Sequence, residues 1–137
     1  LVEIVAKGGS LLLGVGPTAE GLLQEDAISR LQEIGAWMDK NGKAIYGTRT
    51  VDHYKENGLF FTQAKDHSAT YAIRLIKDDV LPETISWSKN LPGKNGVTEL
   101  QTGKKLKYKI NGNTVTVELP ANLRQALGKT PAIALSF

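Results

Sequence analysis

Lys7-Gly8-Gly9-Ser10-Leu11-Leu12-Leu13-Gly14-Val15-Gly16-Pro17-Thr18, with Ala19-Glu20-Gly21 behind it, is the stretch on which the rest of the chain depends. A glycine pair, a short apolar run and a glycine- and proline-rich exit read as a parallel strand buried on both faces. Such a strand needs helices over it, and the sequence supplies two. Val2, Ile4 and Val5 fit the last turn of a helix that Gly8 stops, because glycine takes the left-handed cap conformation at no Cβ cost. Past the loop, Glu25 to Asn41 carries Ala27, Ile28, Leu31, Ile34, Gly35 and Met38 at three- and four-residue intervals, which puts them on one helix face. Glu25 and Asp26 stand in its first turn, where the dipole favours negative charge. Asn41-Gly42 is a stop signal of the left-handed-cap kind. This is one helix–strand–loop–helix piece of an α/β fold, yet no second parallel strand follows. The partners of Leu11–Val15 are missing from the sequence.

At about Thr50 the composition changes to strands and turns. Residues 59–64, 70–76, 84–88, 96–100, 105–110, 114–119 and 132–137 are seven strand candidates. Asn111-Gly112-Asn113 marks a hairpin, Lys65-Asp66-His67-Ser68 closes another, and Pro82, Pro92 and Pro120 fall between runs. Seven short strands in about ninety residues predict an antiparallel β-sandwich.

The 137 residues suit one domain, or one small domain with an appendage; 41% hydrophobic and 23% charged residues are globular values and argue against wholesale disorder. A net charge of +3 is mild, and the densest basic group, Lys104, Lys105, Lys107 and Lys109, alternates with strand residues. Solvated strand faces account for it, so no nucleic-acid partner is expected. There is no cysteine, hence no disulfide and no thiolate metal site. No apolar run is long enough to span a membrane. The chain opens on Leu1 inside a predicted helix, as a fragment or a processed product would.

Searched for chemistry, the chain offers little. Gly14-x-Gly16-x-x-Ala19 follows a strand, but Pro17 lies inside the turn and the helix starts too late to hold a pyrophosphate, so no dinucleotide cofactor is expected. His53 and His67 are too few and too isolated for a metal site. No serine has a nucleophile-elbow context, and no acidic residue is singled out as one of a catalytic pair. Trp87 and Tyr71 could stack on a sugar ring, as in a carbohydrate-binding module; packing between sheets is the plainer reading. Trp37 belongs to an interface or a core.

Taken together, KGGSLLLGVGPTAEG and RLQEIGAWMDKNGKAIYGTR resemble the end of the catalytic domain of glycoside hydrolase family 29 α-L-fucosidases. The pattern is a glycine pair (Gly8, Gly9), a leucine-rich strand (Leu11 to Leu13), Gly16-Pro17, a turn at Gly21, then a helix with Leu31, Ile34 and Gly35 that ends in Asn41-Gly42-x-Ala44-Ile45-Tyr46, and Thr48. It covers about the first fifty residues; Leu59-Phe60-Phe61-Thr62 and Tyr71-Ala72-Ile73 resemble the family's C-terminal β-domain less specifically. Many members carry asparagine where this chain has Ser10 and Gly14.

The resemblance implies a mostly β chain: an antiparallel β-sandwich (50–137) preceded by the last strand and helix of a (β/α)8 barrel (1–49). Leu11 to Val15 would be the eighth strand and Glu25 to Asn41 the eighth helix. The strand's carboxyl end faces the active-site mouth, so Gly14, Gly16 and Thr18 are the expected substrate-binding residues, at the pocket rim only. The family cleaves terminal α-L-fucose with retention, through an aspartate nucleophile and a separate acid/base. Both lie upstream of this segment, so the chain carries no catalytic residue and is expected to be inactive alone. Its partner would be a fucosylated glycan, reached through the upstream domain, and its location exported or lysosomal. A free-standing carbohydrate-binding module is the alternative, favoured by exposed Trp87 and Tyr71 and opposed by their burial. A strand without neighbours leaves unpaired backbone groups, so residues 1–23 are expected to be disordered, repacked onto the sandwich, or paired with a second copy in a homo-oligomer.

Overall fold

The computed structural model describes all residues from Leu1 to Phe137. It begins with α1 (Val2–Ala6), whose stop is a Schellman motif: Gly8 N–H donates to Val5 O and Gly9 N–H to Ile4 O, both at 2.9 Å, with Gly8 at φ 86°. α2 (Glu25–Asn41) has the bounds its periodicity predicts. Its end differs from the expected cap. Gly42 has φ −56° and the chain continues into a 3₁₀ turn, Gly42–Ala44, closed by Ile45 N–H donating to Gly42 O at 2.9 Å. A Cβ on residue 42 would stand 3.1 Å from the exposed Tyr46 ring, so a larger residue there would have to push that ring aside.

Ten strands follow: β1 (Thr48–Arg49), β2 (Lys55–Glu56), β3 (Leu59–Ala64), β4 (Thr70–Leu75), β5 (Thr84–Ser88), β6 (Val97–Glu99), β7 (Lys105–Leu106), β8 (Tyr108–Asn111), β9 (Thr114–Glu118) and, after helix α3 (Ala121–Leu127), β10 (Ala132–Ser136). They form two antiparallel sheets. One runs β1-β3-β4-β10-β6-β7 with β2 also paired to β3; the other runs β5-β9-β8. Two features depart from the sequence expectation. The run 105–110 is not one strand but two, because the chain passes from the large sheet to the small one at Lys107. Helix α3 lies where only a connection was expected.

The sandwich core lies between the sheets. Phe61, Val97, Ile133 and Leu135 from the large sheet meet Ile85, Trp87, Val115 and Val117 from the small one, with Leu123 and Leu127 of α3 filling one end. β5 and β9 alternate buried and open positions, as strands with one solvated face do. β3, β4 and β10 instead have consecutive buried residues. Their second face meets a smaller core, where Trp37, Ala44 and Ile45 cover Tyr71, Ile73, Ala132 and Ala134, with Val2, Val5 and Met38 at its margin. The large sheet is thus the middle of three layers. Two buried hydrogen bonds fasten the helical layer to it: Trp37 Nε1–H to Ala132 O at 2.8 Å, and the Thr62 hydroxyl to Ala44 O at 2.7 Å.

Leu11–Val15 forms no strand here. Strand geometry is sustained by ladder hydrogen bonds, and this segment has no neighbouring strand in the chain; only an isolated bridge, Pro17 to Leu23, lies near it. Of the outcomes expected for residues 1–23, α1 packs on the sheet while residues 10–23 form an open loop, with Leu12 95% exposed. The apolar face of α2 is also open at Ile28, Leu31 and Ile34; of the helix only Trp37 and Asn41 are buried.

Candidate functional site

Gly14, Gly16 and Thr18 lie in that loop; the two glycines are exposed and Thr18 is half-buried. The stretch from Pro17 to Leu23 closes on itself through Thr18, whose N–H donates to Leu22 O at 2.7 Å and whose O accepts from Gly21 N–H at 3.0 Å. Leu22 N–H donates to the Thr18 hydroxyl oxygen at 3.3 Å. The Glu20 backbone N–H, and after it the Thr18 hydroxyl, hold the Glu20 carboxyl below the usual carboxylate range. Thr18 therefore fixes the shape of a turn.

Gly14 and Gly16, with Leu13, Val15 and Pro17, form one wall of a groove of about 440 Å³. Gln24, just ahead of α2, and Ala27, Arg30, Leu31 and Ile34 within it form the other. A Cβ at either glycine would meet nothing within 4 Å, so neither is required by packing in this chain. Two of the three expected rim residues line this groove; Thr18 stands beside it. Its one charged group, Arg30, bonds Glu33 at 2.9 Å. The groove offers apolar walls and backbone, with neither a carboxylate nor an imidazole for proton transfer.

The residues weighed for sugar stacking lie inside. Trp87 is 1% exposed, stacked on Phe137 with centroids 5.2 Å apart and donating from Nε1 to Asn90 O at 2.6 Å. Tyr71 is buried in the helical-side core, and burial, with the nearby Asp66 charge, raises its hydroxyl pKa. Trp87 packs between the sheets as the plainer reading has it; Tyr71 is buried too, but against the helical layer rather than between the sheets, and neither ring is the exposed platform that would favour a binding module. Trp37 is likewise a core residue.

Two polar constellations escaped the sequence reading. Glu99, fully buried, accepts from Gln101 N–H and Thr102 N–H, each at 2.8 Å, and from the Thr102 hydroxyl at 2.6 Å, so it ties down the turn between β6 and β7. Glu56 reaches from the large sheet to the small one. Its carboxylate accepts from Ser88 N–H at 2.9 Å and the Ser88 hydroxyl at 3.0 Å, and His53 Nε2 lies 3.1 Å away. Asn90 closes the group by donating to His53 O at 2.9 Å. Serine and imidazole both address the carboxylate rather than each other, which makes a clamp and not a nucleophile–base pair. Isolated acidic and polar letters gave no signal for either.

Burial works against the charged form of Glu56, but the Ser88 donors and then His53 outweigh it, and the carboxyl pKa is lowered. A depressed carboxyl stabilises the fold above its unfolded value, and that contribution fades as pH falls through the folded value. Glu56→Gln is therefore expected to cost about 1–2 kcal/mol at neutral pH. The difference from the parent should shrink in urea titrations repeated at progressively more acid pH; a gap that stays constant would remove the charge from the account.

The helix–loop–helix unit thus covers one face of a sandwich sheet, with a glycine-rich loop and an open apolar helix face beyond it. The family model described as alpha-L-fucosidase matches residues 1–43. An alpha-L-fucosidase of Branchiostoma floridae is 33% identical over 124 residues, and the human plasma alpha-L-fucosidase 32% over 124 residues. Each alignment takes in 88% of this chain and 27% of the relative. The crystal structure of Thermotoga maritima alpha-fucosidase in complex with fucose superposes with a TM-score of 0.79 at 28% identity, over 98% of this chain and 32% of that one. A Bacteroides thetaiotaomicron alpha-L-fucosidase, at 22% identity and a TM-score of 0.72, shares the fold. The chain belongs to the α-L-fucosidase family, as its C-terminal region. It spans about a quarter to a third of the length of these relatives.

Proposed function

We propose that this chain is the scaffold and accessory portion of a retaining α-L-fucosidase that removes terminal α-L-fucose from glycans. Residues 1–49 complete the catalytic (β/α)8 barrel and residues 50–137 form the sandwich that buttresses it. The observation that carries this is the concentration of open apolar side chains (Leu11, Leu12, Leu13, Leu22, Leu23, Ile28, Leu31 and Ile34) on a loop and helix whose other end is firmly docked. Contiguous exposed apolar surface of this kind marks an interaction site. In the whole enzyme Leu11 to Val15 pairs as the eighth strand, α2 becomes the eighth helix, and Gly14, Gly16 and Thr18 border the pocket. The nucleophile and the acid/base, two carboxyl groups about 5 Å apart in a retaining enzyme, come from the upstream part. From the likeness to relatives such as the human plasma alpha-L-fucosidase we infer an exported or lysosomal enzyme. In the isolated chain the same apolar face pairs two copies, which light scattering over a concentration series would register.

Hydrogen exchange tests the strand assignment. The amides of Leu11 to Val15 are expected to exchange freely in this chain at a dilution where it is monomeric, and to become protected in the chain extended upstream through its own reading frame. Equal exchange in both would remove the segment from the barrel.

A further inference from the structure

We propose that the edge where the two sheets meet carries an anion subsite for an acidic glycan, one bearing sulfate esters or uronate carboxylates. This rests on the glycan-directed reading above and adds a substrate feature to it, on the sandwich and away from the Gly14–Thr18 loop.

The chain changes sheets at Lys107, between β7 and β8, and that crossover places four lysines in six residues along one edge. Leu106 turns into the sandwich core between them. Lys104, Lys105 and Lys107 line a cavity of about 320 Å³, closed by Glu118, Pro120 and Asn122. Lys105 and Lys107 have no carboxylate within salt-bridge distance; the nearest pairing on this edge is Lys109 with Glu118, at 4.0 Å. Lys104 is held in place by donating to the Asn122 side-chain oxygen at 3.0 Å. Unpaired ammonium groups around one concavity attract anions, and they do so most strongly at low ionic strength.

The remaining lining selects among anions. Asn122 and Glu118 offer an amide and a carboxylate, partners for hydroxyl groups. The only aromatic of β8, Tyr108, is half-buried, and nothing aromatic lines the cavity on which a base could stack. Ammonium, amide and carboxylate groups together fit a hydroxylated anion better than a nucleic-acid strand. Charged side chains also keep a sheet edge from pairing with another chain, but that duty needs no cavity and no Asn122 contact.

The test is binding of the present chain to dextran sulfate and to a polyuronate, with neutral dextran and RNA as comparisons. Lys105→Gln/Lys107→Gln is set beside Lys40→Gln/Lys43→Gln, a pair of exposed lysines elsewhere whose replacement changes net charge equally. The first double variant is expected to bind the acidic polysaccharides roughly tenfold more weakly at low salt, with a shallower dependence on salt concentration. The second should bind like the parent, as should the first on neutral dextran. Equal losses in the two double variants would overturn the subsite in favour of diffuse charge. Tighter binding to RNA than to polysaccharide of like charge density would overturn the glycan assignment, and displacement by inorganic sulfate more readily than by sodium chloride of equal ionic strength would reduce the cavity to a free-anion site. Fucosidase activity enters none of these readouts, so the subsite and the fucosidase reading fail separately.

Discussion

Trp87→Ala is expected to cost about 3–5 kcal/mol, the range for emptying a buried tryptophan site. Trp87 sits at the centre of the sandwich: stacked on Phe137, 6.2 Å from the Phe61 ring, and hydrogen-bonded to the Asn90 carbonyl. Truncation opens a cavity between sheets joined here by little else than packing and the Glu56 clamp, and it leaves the Asn90 carbonyl without its donor. Domains of this size commonly have 5–15 kcal/mol in all, so the variant should unfold at a much lower urea concentration. Trp87→Phe keeps the stacking partner and loses mainly the hydrogen bond, for a smaller cost. A Trp87→Ala variant as stable as the parent would mean that the two sheets do not share this core. The same pair of variants separates packing from sugar binding, since a surface platform could lose its ring with little effect on stability.

The second large effect is conditional on the upstream sequence. Leu12→Asp combined with Leu31→Asp should abolish pairing of the isolated chain yet leave its unfolding midpoint nearly unchanged at a dilution where the parent is monomeric, because both side chains are then open to solvent. In the upstream-extended protein the same two substitutions would bury unpaired carboxylates against the barrel, at several kcal/mol each. Loss of soluble, active enzyme is the expected result there. Harmless substitutions in the extended protein would show that this face is not covered by the rest of the chain.

What could be read from the sequence follows from which signals are local. The α2 bounds were legible because periodicity and first-turn acids agree. β3, β5 and β9 were legible because short runs of strand formers are bounded by turn residues. The break at Lys107 was not, since lysine alternating with Leu106, Tyr108 and Ile110 reads as one strand and the pattern is silent about which sheet each half joins. Asn57-Gly58 is a primed-turn dipeptide whose flanks are too short to read as strands; both residues have positive φ, 47° and 78°, and they link β2 to β3. α3 is not legible because its two core leucines, Leu123 and Leu127, make a single helical repeat, too short for a periodic pattern.

The site divides the same way. The glycine-rich loop was found because its spacing is unusual, and Gly14 and Gly16 do line one groove beside α2. The strand it was taken to end could not form, because strand geometry is a property of pairs and the partner is not in the chain. Glu56 and Glu99 were invisible because a carboxylate acquires its role from donors brought by the fold; Ser88 stands 32 residues from Glu56.

The central claim is that this chain supplies scaffold while the reacting carboxylates lie before Leu1. Hydrolysis of a chromogenic α-L-fucoside, by this chain and by the chain extended upstream through its own reading frame, tests it most directly. The account predicts release of chromophore by the extended protein and none by the isolated chain. Hydrolysis by the rigorously purified isolated chain would contradict it, and so would silence from a folded extended protein.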